Sequence, residues 1–334
     1  MIIVKAPLRI SFVGGGTDLF DFYKNYPGRV ISTTIDKYVY LVINSSYNMN
    51  DFILKYQKTE KVNNPKEIVH NRFRAAFNDY GITRGLEIGS FADIPAKTGL
   101  GSSSSFSVAL VKGLSAYLGK TIGPEKAAEE ACRLEIDILK EPIGKQDQYA
   151  AAFGGFNIFQ FNPDNSVDVE PVLIDFKKRA DLESHLLLFF TGVTRSASEV
   201  LFDQKGKIEH NLETYKKMSD SVFDFRDRLL AGDFKGLAEM LHEGWLRKKS
   251  LSGNVSNSVI DMIYEAGIKA GAWGGKILGA GGGGCLLFIA PPESHQRICE
   301  YVNLISDVQS LAEFKQIPVS LTQSGANIIY NSKN

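Results

Sequence analysis

The feature that most limits how this chain can fold is a glycine–serine loop that leads directly into a helix. The loop occupies Pro95–Ser105, with the sequence PAKTGLGSSSS, and apolar residues at helical spacing follow over Phe106–Leu118. Gly99 and Gly101 let the backbone approach an anion closely and turn its N–H groups toward it. The beginning of the helix adds unpaired N–H donors and a partial positive charge. We therefore predict that this loop binds phosphate groups.

Two simpler interpretations of the loop fit its residues less well. A helix cap requires one serine, whereas four serines follow Gly101. The Walker pattern G-x-x-x-x-G-K-[ST] is absent from the sequence, so a P-loop nucleotide-binding protein is not expected. The residues predicted to contact a nucleotide are Pro95, Gly99, Leu100, Gly101, Ser102, Ser103, Ser104 and Ser105.

A second glycine run, Gly279–Gly284, formally contains the dinucleotide-binding pattern G-x-G-x-x-G. That pattern requires a helix after the glycines and an acidic residue about 20 positions later. Here the strand-like run Cys285–Ala290 follows, and two prolines end it. We therefore expect a glycine hairpin between two strands, in which the permissive backbone also closes over a ligand.

The remaining patterns mix strands and helices without regular alternation, which predicts two α+β domains rather than a doubly wound sheet. Strands are expected at Ile2–Val13, Val30–Ile43, Leu86–Phe91, Phe153–Phe161, Ser184–Thr191 and Ala326–Tyr330. Further helices are expected at Pro124–Lys140, Ala197–Leu230, Phe234–His242, Ser256–Ala270 and Glu293–Leu304. The polar stretch Asn162–Lys178 is the predicted boundary, which gives domains at 1–170 and 171–334.

Composition excludes several classes of partner. Lys+Arg and Asp+Glu balance at 38 each, so no global field attracts nucleic acid or a membrane surface. The 3 cysteines are too few for a disulfide framework, and no Cys/His spacing matches a zinc site. The first residues carry no signal-peptide pattern, and the apolar runs are too short to span a bilayer. We expect a cytoplasmic protein, either a monomer or a homodimer, with a small-molecule substrate.

Three segments together resemble a known family. In order along the chain, Lys5–Asp18, Gly99–Ser105 and Gly279–Gly284 resemble the three motifs of the galactokinase, homoserine kinase, mevalonate kinase and phosphomevalonate kinase (GHMP kinase) superfamily. The resemblance implies a kinase of a small hydroxylated metabolite that uses ATP. It also implies an N-terminal domain like domain 2 of ribosomal protein S5, a ferredoxin-like C-terminal domain, and an active site between them.

A finer resemblance concerns the substrate. Pro7–Asp18, Gly144–Phe156 and Leu246–Ser252 are similar to the D-glycero-D-manno-heptose 7-phosphate kinases, and fucokinases share much of the first segment. This implies phosphorylation of the anomeric hydroxyl of that sugar phosphate, giving a 1,7-bisphosphate for nucleotide-activated heptose synthesis. The alternatives are a fucokinase-like kinase of a free sugar and a non-catalytic sugar or nucleotide sensor.

The resemblance also assigns catalytic roles. Phosphoryl transfer requires a metal to neutralise charge and a group that orients or deprotonates the acceptor. Two carboxylates on either side of a turn can divide that work: the family pattern places Glu135, with Ser103, at the Mg²⁺ site and Asp147 at the catalytic aspartate. Arg9 matches the basic residue facing that aspartate, where it stabilises charge on the transferred phosphoryl group.

Substrate recognition is predicted from two regions. Asp18 matches the position that hydrogen-bonds sugar hydroxyls in galactokinase, whereas Gly15-Gly16-Thr17 replaces the bulkier Glu-His-Thr of that enzyme and leaves room for a larger sugar. A phosphorylated substrate also needs a cationic anchor, for which Arg247–Lys249, Arg195 and the Arg72/Arg74 pair are candidates. The predicted substrate-binding residues are Gly15, Gly16, Thr17, Asp18, Gly281, Gly282, Arg195, Arg247 and Lys249.

Overall fold

Two β-sheets organise the protein. The structure is a computed structural model that describes residues 1–48, 50–194, 206, 208–251, 253 and 255–332. The strands of the larger sheet are β1 (Ile2–Val13), β2 (Gly28–Ser45), β3 (Phe52–Lys55), β4 (Thr59–Val62), β5 (Leu86–Ala92), β6 (Phe156–Phe161), β7 (Val167–Pro171), β12 (Leu321–Thr322) and β13 (Asn327–Asn331). Those of the smaller sheet are β8 (Leu186–Phe190), β9 (Gly274–Ile277), β10 (Cys285–Ile289) and β11 (Lys315–Gln316).

The larger sheet is built around β1 and β2, which pair antiparallel along most of their length. Its order is β13-β1-β2-β5-β3-β4; in addition, β6 and β12 pair with β2, and β7 pairs with β6. The smaller sheet has the order β11-β8-β10-β9 and antiparallel neighbours. In the larger sheet, β3 and β5 are parallel.

Helices pack against both sheets; for example, α3 contacts β1 and β2, and α8 contacts β9. In chain order they are α1 (Phe20–Tyr23), α2 (Asn71–Asp79), α3 (Ser102–Tyr117), α4 (Pro124–Cys132), α5 (Gln146–Phe153), α6 (Phe176–His185), α7 (Leu212–Ala231), α8 (Phe234–Leu251), α9 (Ser258–Lys269) and α10 (His295–Val308). This mixture of helices and largely antiparallel sheets confirms the predicted α+β class.

Several helix ends differ from the sequence prediction. The helix after the phosphate loop begins at Ser102, because Gly101 before it has a left-handed rather than a helical conformation (φ 78°). The helix predicted over Pro124–Lys140 is α4 followed by a π-helical segment, Arg133–Ile138. The α5 helix was not predicted.

The predicted helical tract Ala197–Leu230 falls partly outside the described residues. Residues 195–205 and 207 are not described, so the beginning of that prediction has no structural counterpart to compare. The described part forms α7, which ends one residue beyond the predicted end.

Apolar side chains form three clusters, and one of them joins the two sheets. Its members include Leu8, Ile10 and Ile31 from the larger sheet, Leu188, Phe190 and Leu287 from the smaller sheet, and Phe225 and Leu229 from α7. Because burial of apolar surface is the main favourable term in folding, this shared cluster holds the two sheets in one relative position. The loops at their common edge are therefore held together as well.

The end of the chain returns to the larger sheet. After β11, the strands β12 and β13 pair with β2 and β1, respectively. The division into domains at 1–170 and 171–334 stays a prediction, with these last strands contributing to the sheet of the first segment. Within the described residues, no helix is both long and apolar enough to cross a bilayer.

The two glycine loops pack directly on each other. The run Gly279–Gly284 connects β9 to β10, which confirms the predicted hairpin. The N–H of Cys285 donates to the carbonyl oxygen of Thr98 at 2.8 Å. A Cβ atom added to Gly99 would lie 2.4 Å from the Leu278 carbonyl oxygen. Only a glycine at position 99 allows this close backbone contact.

This contact predicts a specific stability difference. Gly99 and Gly119 have nearly the same left-handed φ, 78° and 76°, but a Cβ at Gly119 would meet no atom within 4 Å. Gly119→Ala therefore measures only the strain of an alanine at a left-handed φ. Gly99→Ala has the same strain and also a clash with the Leu278 carbonyl oxygen. We expect Gly99→Ala to lose about 1–3 kcal/mol more free energy of unfolding than Gly119→Ala in urea titrations. Equal losses would contradict the close packing of the two loops.

Candidate active site

The two glycine loops, the turn after β1 and the beginning of α5 border a cleft of about 290 Å³. The predicted site residues that line it are Arg9, Gly15, Gly16, Asp18, Gly99, Gly101, Ser102, Ser103, Ser104, Asp147 and Gly281. Those that do not line it, among the described residues, are Pro95, Leu100, Ser105, Thr17, Glu135, Gly282, Arg247 and Lys249. Arg195 lies outside the described residues.

The N-terminus of α3 faces this cleft through its first serines. Gly101 is the N-cap, and Ser102 begins the first turn, where backbone N–H groups have no helical partners. Such a terminus is a ready anion site. Ser105 has a structural contact instead, because its buried hydroxyl donates to the carbonyl oxygen of Pro7 at 2.7 Å and so fixes the helix to β1. Leu100 is buried in the shared apolar cluster.

Arg9 connects the phosphate loop to Asp147. Its guanidinium lies 2.7 Å from Asp147 Oδ1 through Nη2, and Nη1 donates to the Gly99 carbonyl oxygen at 2.6 Å. The Arg9 side chain is 4% exposed, whereas that of Asp147 is 26% exposed. A buried guanidinium therefore orients a carboxylate that still faces the cleft, beside the loop that the sequence predicts to bind phosphate.

Asp18 forms the opposite polar wall. Its Oδ1 accepts hydrogen bonds from Gly16 N at 3.0 Å and from Gln146 Nε2 at 2.9 Å. Burial raises the pKa of Asp18, and the negative charge of Asp147 adds to the rise, while the Gln146 and Gly16 hydrogen bonds oppose it. A Cβ added to Gly144 would lie 1.9 Å from Asp18 Oδ2, so the turn before α5 requires glycine at that position.

Thr17 stabilises the same turn and does not reach the cleft. Its hydroxyl oxygen lies 2.8 Å from each of the carbonyl oxygens of Gly14 and Arg29, which share its one proton, and it accepts from Arg29 N at 2.9 Å. The side chain is fully buried. Its assignment to substrate binding therefore has no contact that supports it, because its polar atoms bond to backbone groups of the turn.

Glu135 lies in the π-helical segment, a type of segment that is often found at functional sites, and is completely buried. Its Oε2 accepts from Ser104 Oγ at 2.9 Å and from Gln148 Nε2 at 2.5 Å. Its Oε1 accepts from Ser107 Oγ at 2.9 Å and from Arg72 Nε at 3.1 Å. The serines that contact Glu135 are therefore one and four positions beyond Ser103.

A hard cation such as Mg²⁺ prefers carboxylate and other oxygen ligands, and Glu135 supplies the carboxylate type, but each of its oxygens already accepts two hydrogen bonds, one of them from the Arg72 guanidinium. Glu141 lines the cleft, and Arg72 bridges it to Glu135, with Nη2 at 2.7 Å from Glu141 Oε2. The buried Oε1 of Gln148 has no hydrogen-bond partner in the described structure. The described residues contain no group of three or more His, Cys, Asp or Glu able to hold a metal. A cation here would thus need phosphate oxygens as well, and the Ser103–Glu135 pair stays a prediction.

Two lysines line the cleft, of which Lys248 belongs to a candidate anchor cluster and Lys276 was not predicted. Lys248 of α8 and Lys276 of β9 line it, and each residue is 8% exposed. Lys248 belongs to the basic cluster that the sequence indicates, but Arg247 pairs with Glu243 at 2.8 Å and Lys249 pairs with Asp261 at 2.6 Å. Lys276 lies inside the otherwise apolar strand β9. A lysine at such a position is a sequence signal for a buried charge that could have identified this residue.

Comparison with known proteins gives a consistent result. Models of the GHMP kinases N terminal domain and the GHMP kinases C terminal domain match residues 65–155 and 225–304, respectively. The chain is similar to the D-glycero-alpha-D-manno-heptose 7-phosphate kinase of Campylobacter jejuni, with 32% identity over 87% of this chain and 90% of that protein. It is also similar to the galactokinase of Thermococcus kodakarensis, with 26% identity over 84% of this chain and 87% of that protein.

A solved structure is similar over the whole length. The crystal structure of a D-glycero-D-manno-heptose 1-phosphate kinase from Bacteroides thetaiotaomicron superposes with a TM-score of 0.80 and 26% identity. The superposition covers 99% of this chain and 100% of that chain. The similarity therefore includes both sheets and the loops between them.

The burial of Lys248 predicts a pH dependence of stability. Burial lowers its pKa to about 8 in the folded protein, whereas in the unfolded chain the pKa is about 10.4. Between these values the unfolded chain binds more protons, so the free energy of unfolding rises with pH. Urea titrations should therefore show the wild-type protein gaining stability relative to Lys248→Met between about pH 7 and pH 9.5. A wild-type protein that loses stability relative to Lys248→Met over this range, or does not change relative to it, would contradict the lowered pKa of Lys248.

Proposed function

The chain belongs to the GHMP kinase family, and from this premise we propose that it phosphorylates the anomeric hydroxyl of D-glycero-D-manno-heptose 7-phosphate. The enzyme is a sugar kinase, and kinases of this family use ATP as the phosphate donor. The proposed product is the 1,7-bisphosphate, which would supply nucleotide-activated heptose synthesis for polysaccharides. The observation that carries the mechanism is the Arg9–Asp147 pair at the mouth of an anion-binding helix terminus.

The proposed chemistry follows from three neighbouring groups. The nucleotide's phosphates bind over Gly99–Ser105 at the beginning of α3. Asp147 orients the acceptor hydroxyl and takes its proton as the new P–O bond forms. Arg9 holds the Asp147 carboxylate at 2.7 Å and stabilises charge on the transferred phosphoryl group. An anomeric hydroxyl is more acidic than an ordinary alcohol, which makes the proton transfer easier.

We further propose that Mg²⁺ accompanies the nucleotide. Glu135 and Ser103 are the proposed protein ligands, with Glu141 and Ser104 as neighbouring oxygen donors. When bound, the ion neutralises negative charge on the phosphates. Because Arg72 contacts both Glu135 and Glu141 at 3.1 and 2.7 Å, this guanidinium already counters their charge in the structure.

The names of the relatives support a heptose phosphate as the acceptor. The Campylobacter jejuni relative is named a heptose 7-phosphate kinase, and the Bacteroides thetaiotaomicron structure a heptose 1-phosphate kinase. The two names agree on the sugar and differ in the position of the phosphate. Gly15 and Gly16 line the cleft without side chains, which leaves space for a seven-carbon sugar. Asp18 is the proposed acceptor for its hydroxyl groups.

The function is tested by ADP release from the purified protein. The acceptors are D-glycero-D-manno-heptose 7-phosphate, L-fucose and galactose, each assayed with Mg²⁺ and with EDTA. We expect magnesium-dependent turnover with the heptose phosphate and little with the free sugars. Turnover with L-fucose instead would establish the fucokinase-like alternative, and turnover with none of the three would overturn the heptose assignment.

The role of Asp147 gives a second prediction. Asp147→Asn keeps the size of the side chain but removes its ability to accept a proton, so turnover should fall by at least about 100-fold. Affinity for ATP, measured by calorimetry, should change little because the phosphate loop is intact. Asp137→Asn is the matched control, since Asp137 is an exposed carboxylate in the π-helical segment. Near wild-type turnover of Asp147→Asn would remove Asp147 from catalysis.

A further inference from the structure

Two buried ammonium groups in the protein have no carboxylate partner among the described residues. Lys248 Nζ donates to the carbonyl oxygen of Gly279 at 2.5 Å. Lys276 Nζ donates to the carbonyl oxygens of Ser11 at 3.1 Å and Phe12 at 2.7 Å. Each ammonium has three donors, so both retain capacity for another acceptor. Because a buried charge without a counter-charge is costly, this pair is suited to an anionic ligand.

Both lysines stand where two cavities meet. One is the cleft described above, and the other, of about 440 Å³, lies between the turn after β1 and the helices α7 and α8. Gly15, Lys248 and Lys276 line both cavities. A molecule that extends from the catalytic carboxylates toward the second cavity would therefore pass the two ammonium groups.

We propose that Lys248 and Lys276 bind the phosphate group that the sugar already carries, so that the enzyme selects a sugar monophosphate over the free sugar. The inference rests on the proposed kinase function and extends it to recognition of the acceptor. The sequence-based anchors Arg247 and Lys249 are both neutralised by acidic neighbours. Lys248 and Lys276 form no ion pair in the described residues; the charges of Asp18 and Asp147 reach Lys248 only from across the cleft.

The position of the lysines favours the acceptor's phosphate over those of the nucleotide. Lys276 holds the last residues of β1, next to the turn that carries Asp18. The nucleotide's phosphates already have the N-terminus of α3. The second cavity contains none of the phosphate-loop residues, so an acceptor that extends from the lysines into that cavity leaves the phosphate loop to the nucleotide.

Acidic residues limit how far the phosphate can enter the second cavity. The carboxylates that line it are Asp224, Asp227, Glu239 and Glu243. The arginines there are already paired, Arg228 with Asp233 at 2.7 Å and Arg247 with Glu243 at 2.8 Å. Repulsion by the carboxylates holds a phosphate dianion at the two lysines. The same carboxylates are suitable acceptors for sugar hydroxyl groups.

The protonation of the lysines provides an independent readout. Burial lowers the pKa of Lys248 to about 8, with Arg9 adding to the fall and the charges of Asp18 and Asp147 opposing it. Burial also lowers the pKa of Lys276, and the positive charges of Lys248 and Arg9 lower it further. A bound phosphate favours the charged forms. Binding near pH 8 should therefore take up protons from the buffer.

The test compares Lys248→Met and Lys276→Met with the wild-type enzyme on the heptose 7-phosphate and on the unphosphorylated heptose. Since a hydrogen bond to a charged group is lost, we expect KM for the sugar phosphate to rise by about 10- to 100-fold. The KM values for ATP and for the free sugar should stay the same. Equal losses with both acceptors, or weaker ATP binding, would place the lysines on the transferred phosphoryl group and overturn the proposal.

Lys112→Met is the matched control. Lys112 is a half-buried lysine whose ammonium donates to the carbonyl oxygen of Ile122 at 3.3 Å, and it lines neither cavity. Its kinetics should match those of the wild-type enzyme. Thermal unfolding of every variant shows whether a loss of activity reflects the site or the fold. If Lys276→Met does not fold, Lys248→Met still tests the proposal, because Lys248 bonds one carbonyl oxygen and Lys276 bonds two.

A binding experiment with inorganic phosphate tests the lysine site without depending on which sugar is the substrate. With the nucleotide site filled by a non-hydrolysable ATP analogue and Mg²⁺, inorganic phosphate is titrated calorimetrically at pH 8 in buffers of different ionisation enthalpy. Binding with proton uptake by the wild-type and Lys112→Met proteins, and its loss in Lys248→Met, would support the lysine site even if the heptose phosphate is not a substrate. An absence of phosphate binding by the wild-type protein would overturn the inference.

Discussion

The geometry of the candidate active site depends on the contacts of the buried Arg9 guanidinium. A charge removed from water requires a counter-charge and hydrogen-bond acceptors, and Arg9 finds them in Asp147 and in the carbonyl oxygen of Gly99. Its backbone N–H also donates to the carbonyl oxygen of Leu100 at 3.0 Å. Through this one residue, β1 fixes both the phosphate loop and the beginning of α5.

Around this centre, charges are distributed between two sides of the cleft. On the donor side, Arg72 neutralises Glu135 and Glu141 beside the serines of α3. On the acceptor side, Lys248 and Lys276 are bonded only to backbone carbonyl oxygens among the described residues. The donor side is thus electrically satisfied, whereas the acceptor side retains positive charge. This asymmetry is the basis of the proposal that the acceptor is an anionic sugar.

The glycines determine how closely these groups approach. Gly99 lies against the backbone of Leu278 and Gly279, and Gly144 lies against the Asp18 carboxylate. Side chains at these positions would separate the glycine–serine loop from the second glycine loop and α5 from the turn that carries Asp18. The cleft is therefore formed by close contacts between segments that are distant in the sequence. Its functional side chains extend into the space between these segments.

The sequence by itself determined the α+β class, the family and the glycine–serine loop that leads into α3, because glycine and serine runs next to helical periodicity are local signals. It also indicated Arg9, Asp18 and Asp147, which the structure brings into one cleft. The helix α5, the hydrogen-bonded turn around Thr17 and the contacts of Ser104 with Glu135 were decided only by the tertiary structure. In the basic cluster, Lys248 faces the cleft while its two neighbours are paired outside it, because helix rotation and packing against β9 select one face of α8. A pattern of charges along the chain cannot specify that choice, since burial and pairing arise only when distant segments pack together.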